Sequence, residues 1–171
     1  MTLKQRLKKA RAAYMARRSS TNLRRYLRLK ATAGRFDSRM CSYYGVSPKV
    51  NPACRRAICR AYAAGLVPTS TTGGKHAPGS YHTQLNSRGE GRGIDLGLRR
   101  DEVGTQKGLK RMETFQRKEL WRFRHGKLPQ MAELIGPNNF RIVLRGVETN
   151  LVEGNALEQA HDNHVHEGYH G

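Results

Sequence analysis

Charge is distributed so unevenly along this chain that it limits how the chain can fold. Residues 1–62 contain 17 Lys and Arg and one acid, Asp37, for a net +16 of the total +19. Residues 63–171 contain 15 basic and 12 acidic residues, a near balance. A segment at +16 cannot collapse on its own charges. It needs an apolar stripe to bury on one side and solvent or an anion on the other. The pattern therefore predicts a basic helical arm over residues 1–50 and a charge-balanced domain over 51–171. It points to an anionic partner for residues 1–62: nucleic acid, an anionic wall polymer or an acidic protein surface. Hydrophobic residues make up 37% of the chain, enough for a modest core. No apolar run approaches the roughly 18 residues of a membrane-spanning helix, so no membrane insertion is expected. The opening Met1-Thr-Leu-Lys-Gln-Arg-Leu-Lys-Lys has no apolar core of the kind a secretory signal needs.

The arm carries narrow apolar stripes. Leu3, Leu7, Ala10 and Tyr14 recur at helical spacing and predict a helix over 3–18. Ser19-Ser20-Thr21-Asn22 offers an N-cap to a second helix with Leu23, Tyr26 and Leu27 as its stripe. Helices this short are marginal alone, so they need a partner surface in the same chain or another. Residues 33–50 read as a loop. Tyr14, Tyr26, Tyr43 and Tyr44 stand among the arginines, as in proteins that stack on bases, although no recognised nucleic-acid motif is present. Cys41, Cys54 and Cys59 form neither a C-x-x-C pair nor an even set, which favours free buried thiols over a disulfide framework or a zinc finger.

In the second segment, Asn51-Pro52 predicts a helix start and Gly65 its stop. Strands are expected at 66–72, 93–98, 131–135, 141–144 and around His164-Val165-His166, and a helix at about 105–124. The loop Gly73-Gly74-Lys75-His76-Ala77-Pro78-Gly79, a turn at Gly136-Pro137-Asn138-Asn139 and a helical turn capped by Asn155 complete the reading. The mixed order of elements predicts an α+β fold with a small, mostly antiparallel sheet.

Three of the seven histidines fall within His161-Asp162-Asn163-His164-Val165-His166. Residues two apart on a strand share a face, so His164 and His166 point to one place. Asp95 lies between strand-forming apolar residues, where burial is costly unless a partner or a cation compensates it. His82 follows a Gly/Pro-rich loop. Two imidazoles and a carboxylate, with a fourth position left open, make the donor set of a catalytic zinc site, beside which a further histidine can move protons.

Ser80-Tyr81-His82 followed by Gly91-Arg92-Gly93-Ile94-Asp95 resembles the S-x-H…G-x-A-x-D motif of D-alanyl-D-alanine carboxypeptidase-like zinc peptidases, which have the hedgehog/DD-peptidase fold. His161-Asp162-Asn163-His164-Val165-His166 resembles the H-x-x-H-x-H segment of penicillin-insensitive murein endopeptidases of that fold. Residues 67–74, 133–139 and 158–166 are similar to segments of bacteriophage proteins carrying the domain. The resemblance spans about residues 52–168 and leaves the arm uncovered. It implies zinc held by His82, Asp95 and His166, with His164 as general base and His161 orienting or stabilising the transition state. It implies hydrolysis of peptide cross-links in peptidoglycan by a phage-encoded enzyme, present in the virion or in the host cytoplasm before lysis and acting at the cell wall. Under that reading the arm docks to other virion proteins or to anionic wall polymers. The second implied role is a structural tail component with a weakly active or inactive site. Two departures stand out. Twelve residues separate His82 from Asp95, as though Leu85–Glu90 were inserted. The Arg that many relatives place after the first strand is missing, leaving Lys75 or Arg92 as stand-ins.

Overall fold

The computed structural model describes residues 1–72, 76, 79–137, 141–151 and 156–171, and of residue 158 the backbone alone. Lys75, Asn138, Asn139 and Asn155 lie outside the described residues, as do Gly73, Gly74, Ala77 and Pro78 of the expected loop. The fold is α+β. Six antiparallel strands run in the order β1-β2-β6-β3-β4-β5. They are β1 (Val67–Ser70), β2 (Gly93–Gly97), β3 (Met131–Ile135), β4 (Arg141–Leu144), β5 (Val147–Asn150) and β6 (Val165–Tyr169). The helices are α1 (Leu3–Ala16), α2 (Ser20–Thr32), α3 (Arg39–Ser42), α4 (Pro52–Ala64), α5 (Gln106–Arg124) and α6 (Ala156–Ala160). Among the described residues, no helix is long and apolar enough to cross a membrane.

Local chemistry sets the helix ends. Thr2 and Gln5 form a reciprocal capping box at α1, and Ser19 caps α2 by accepting from the Asn22 amide at 3.2 Å. Asn51 accepts from the Cys54 amide at 2.8 Å to start α4, with Pro52 in the first turn. Gly65 ends α4 at φ 92°, a left-handed conformation that side chains resist.

The partner surface the arm needs is α4 of the same chain. Helix α2 packs against both α1 and α4. Ala10, Tyr26, Leu27 and Ala31 join Ile58, Tyr62, Ile94, Leu96 and Leu134 in one continuous core. Segment 33–50 is not a plain loop. It contains α3, and Met40, Cys41 and Val50 are fully buried. The reason is Asp37, the arm's one acid. Its carboxylate accepts from Lys30 Nζ (2.7 Å), Arg39 Nε (2.9 Å), Arg39 Nη2 (2.8 Å) and the Arg39 amide (3.1 Å), clasping α2 to α3. The Arg39 guanidinium in turn lies 5.6 Å from the Tyr14 and Tyr26 ring centres, which tie α1 to α2. All three cysteines are buried free thiols, and burial pushes Cys41 up to about 12.

Strand alternation divides the sheet into two faces. Ile94, Leu96, Leu134, Val165 and Tyr169 turn to the main core. Behind them lies a buried charge network. Arg60 pairs with Glu119 at 2.8 Å and with Glu167 at 3.7 Å, Arg122 also holds Glu119, and the Tyr169 hydroxyl donates to Glu167. Burial beside Glu119 pushes Glu167 up to about 7. The other face carries Asp95, Glu133 and His166 above a small cluster of Ile135, Ile142 and Leu151. The hairpin strand β5 had no expectation from sequence, because its pattern Val-Glu-Thr-Asn is almost wholly exposed.

The Asp37 clasp yields a test. Hydrogen bonds from Arg39, working against burial, together with Lys30 hold this carboxyl well below its ordinary 3.8. A depressed folded-state value adds stability that is complete above the unfolded value and is lost as pH falls below it. Asp37→Asn should therefore lower stability at neutral pH by about 1 kcal/mol, a modest figure because both cations stand partly in water. The variant should also lose less stability than the parent when urea melts, followed by circular dichroism, are taken from pH 5 down to pH 3.

Candidate metal centre

The site is built where three strands meet. Asp95 of β2 and Ile135 of β3 both lie opposite His166 of β6. The fourth element is the turn Ser80–Thr83. Ser80 Oγ accepts from the His82 amide at 3.3 Å, and the Thr83 amide returns to the Ser80 carbonyl at 2.9 Å, which gives the first residue of Ser80-Tyr81-His82 a mechanical role. The turn lies so close to β2 that a Cβ on Gly93 would stand 2.7 Å from the His82 nitrogen. A glycine here allows the His82 backbone to approach the strand.

The inserted segment Leu85–Glu90 loops away from the site. Asn86 Oδ1 accepts from the Arg88 and Glu90 amides at 2.9 Å each, and Glu90 is anchored by Arg55. The twelve-residue spacing therefore does not separate His82 from Asp95. His82 Nε2 and Asp95 Oδ1 are 3.0 Å apart, His166 Nδ1 and Asp95 Oδ1 are 3.0 Å apart, and His82 Nε2 and His166 Nδ1 are 3.1 Å apart.

Hydrogen bonding behind the ligands decides what this triangle is. His82 Nδ1 lies 2.5 Å from the Thr71 carbonyl, which only accepts, so Nδ1 carries the proton. His166 Nε2 lies 2.9 Å from Glu133 Oε2, so it too carries the proton. In both neutral rings the remaining lone pair then faces the Asp95 carboxylate. Three lone pairs cannot converge at 3 Å in a buried place without a cation among them. Ligands on a tetrahedral zinc would sit roughly 3.3 Å apart, close to this spacing. The residues present thus fit a metal. In its absence the cation is a proton. Burial disfavours charge on His166, but Asp95 and Glu133 on either side push it up to about 9. Burial also opposes charge on Asp95, yet its hydrogen bonds to His166 and His82 hold it well below the usual carboxylate range.

His76 extends the donor set. Its ring stacks on His82 with centroids 3.9 Å apart, and its Nε2 meets Ser70 Oγ at 3.0 Å. The donor atoms of His76, His82 and Asp95 all lie within 4.8 Å of one another, so this group could hold a metal ion. His166 makes the tighter triangle with His82 and Asp95, and we take it as the nearer third donor on distance.

His164 immediately precedes β6 rather than lying within it, but it still reaches the site, with Nε2 3.5 Å from Asp95 Oδ1. Burial pushes it down to about 4. Its Nδ1 meets Asn163 Oδ1 at 2.9 Å, leaving the Nε2 lone pair on the cavity side. His161 donates from Nδ1 to the Leu157 carbonyl at 2.7 Å, packs 4.9 Å from the His164 ring, and is likewise lowered by burial. A cavity of about 490 Å³ opens over these groups, walled by Ile135, Leu144 and Leu157. Arg92 is not a stand-in for the missing Arg. It is held away by the Tyr169 carbonyl (3.0 Å), Gln84 (3.0 Å) and the Tyr81 ring (5.2 Å).

Sequence reasoning missed Glu133 and His76. Glu133 had a readable signal, a carboxylate alternating with buried apolar residues in Met131–Ile135, the same signal that marked Asp95. His76 had none beyond its glycine-rich surroundings. No family model matches the chain, and neither a curated protein nor a solved structure is significantly similar to it.

Two outcomes follow from the geometry. Glu133→Gln, which keeps the shape but removes the charge behind His166, should weaken divalent-metal affinity about 10- to 100-fold in a competition titration. Gly93→Ala should displace His82 and reduce bound metal more than it reduces stability, as read by metal analysis beside thermal melts.

Proposed function

We propose that this chain is a zinc peptidase of the hedgehog/DD-peptidase fold that cleaves peptide cross-links of bacterial peptidoglycan. The observation carrying this reading is the convergence of His82 Nε2, Asp95 Oδ1 and His166 Nδ1 within 3.1 Å, each histidine fixed by a hydrogen bond from its far nitrogen. Two imidazoles and one carboxylate suit zinc, and three protein donors leave a position for substrate. Zinc held there supplies a Lewis acid that polarises a carbonyl and acidifies water.

The chain's own residues supply the rest. Asp95 and His166 hold the centre rigidly because they sit opposite each other on paired strands. Thr71 and Glu133 keep the two imidazoles in the tautomer that offers a lone pair. His164 is the general base and later the acid. Burial keeps it neutral, so its Nε2 can take a proton and pass it to the leaving amine. His161 braces the His164 ring and faces the same cavity. Ile135, Leu144 and Leu157 exclude water from the reacting bond. A phage source, with action at the wall from the virion or after release from the host cytoplasm, accords with the segments that resemble phage proteins.

One observation favours the second reading, a virion subunit with weak or no hydrolysis. Among the described residues lining the cavity there is neither Lys nor Arg to stabilise an oxyanion. The experiment is digestion of purified peptidoglycan with and without chelator. Chelator-sensitive release of peptide ends supports the peptidase. Zinc binding without release supports the structural subunit. Failure to bind zinc above neutral pH removes the peptidase reading. For the peptidase, His82→Ala should lose zinc, and His164→Ala should keep zinc while losing about 100- to 10,000-fold in rate.

A further inference from the structure

A second site of binding character lies at the other end of β1. Two adjoining cavities of about 550 Å³ and about 240 Å³ share Arg24, Arg99 and Asp101, forming one groove between α2 and the β1–β2 edge. Five guanidinium groups line it, from Arg24, Arg25, Arg28, Arg99 and Arg100, against one carboxylate, Asp101. Several arginines elsewhere in the molecule are held by carboxylates, as Arg39 is by Asp37, Arg55 by Glu90, Arg60 by Glu119 and Arg124 by Glu148. None of the five groove arginines has an ion pair among the described residues, and Arg99 Nε is buried with no hydrogen-bond partner. A buried guanidinium donor left unpaired costs free energy that an anion in the groove would recover.

The occupant must offer several anionic groups in a row, since the five cations extend from α2 to the residues after β2. Guanidinium forks match phosphate oxygens in pairs. Single-stranded nucleic acid would also need a series of stacking rings. The groove offers only one exposed ring, Tyr43. Tyr44 is packed edge-on against Tyr43 at 5.0 Å and Tyr62 at 6.4 Å. Position favours a ligand linked to the substrate. Val67, Pro68 and Thr69 wall the groove, while the next two residues serve the metal centre: Ser70 Oγ holds His76 and the Thr71 carbonyl holds His82. Pro68 to Thr71 is about 10 Å along an extended chain.

We propose that this groove binds the phosphodiester chain of an anionic polyol-phosphate wall polymer and so holds the wall beside the metal centre. This rests on the peptidoglycan reading above. Because the groove is filled by an extended polymer, affinity comes from many weak phosphate contacts and falls steeply with salt.

The test is a calorimetric titration of the full chain with purified poly(glycerol phosphate) wall polymer at 50 and 200 mM salt. The exposed triple variant Arg25→Gln/Arg28→Gln/Arg100→Gln should bind at least about tenfold more weakly at low salt. A control removing three exposed charges from α1, Lys4→Gln/Lys8→Gln/Lys9→Gln, should change affinity by less than about twofold. Arg99→Gln probes the deeper position, and the exposed triple carries the test if that variant does not fold. No binding, equal losses in the groove and control variants, salt-independent binding, or tighter binding of an oligothymidylate than of the wall polymer would each overturn the proposal. Hydrolysis is read separately. A chain that binds the polymer but releases nothing from peptidoglycan with zinc present contradicts the peptidase reading alone, and one that hydrolyses without binding contradicts the groove alone.

Discussion

One carboxylate oxygen organises this molecule's chemistry. Asp95 Oδ1 stands 3.0 Å from nitrogens of His82 and His166 and 3.5 Å from His164. An Asp in the middle of an apolar strand is a liability unless something positive is always beside it. Here that requirement is met by histidines brought from a turn and from the last strand. The tautomers favoured by Thr71 and Glu133 then turn the liability into a place that could hold a cation. The shape of the sheet follows from the same point, because β2 and β6 must pair in the one register that puts Asp95 opposite His166.

The two faces of β6 carry different loads. His166 looks into the candidate metal site, and the next residue, Glu167, looks into the helices, where Arg60, Glu119 and Tyr169 surround it. A strand with a buried charge on each side cannot slip by one residue, because a slip would exchange the two sets. The buried ionic network behind the sheet therefore fixes the register on which the site in front depends. Its contribution is specificity of pairing more than net stability, since buried ion pairs barely repay their desolvation.

The basic arm has a simpler economy. Its apolar stripes go into the common core, its single acid clasps α2 to α3, and most of its cations are left facing outward. Where those cations meet Arg99 and Arg100 beyond the end of β2, they make a groove in which five guanidinium groups face one carboxylate, Asp101. The arm and the site meet along β1, one end of which lines the groove while the other, Ser70, meets His76 and leads into Thr71, whose carbonyl holds His82.

Much of the architecture was legible without coordinates. Asn51-Pro52 and Gly65 bounded α4, the Ser19-Ser20-Thr21-Asn22 stretch marked the start of α2, and the apolar periodicity of residues 105–124 marked α5, because these signals act over a few residues and depend on local hydrogen bonding. His82, Asp95, His161, His164 and His166 were also readable as chemistry-bearing residues. The sequence reading does not place Glu133 or His76 in the site, Arg92, one of two candidate stand-ins for the missing Arg, is held away from it, and segment 33–50 reads as a loop although Asp37 and a buried Met40 give it shape. By itself, the sequence determined where the charge lies, where helices start and stop, and which side chains are able to hold a cation. Tertiary structure alone decided which of those side chains share a point in space, because distances across paired strands and the hydrogen bonds that orient a ring depend on residues dozens of positions apart.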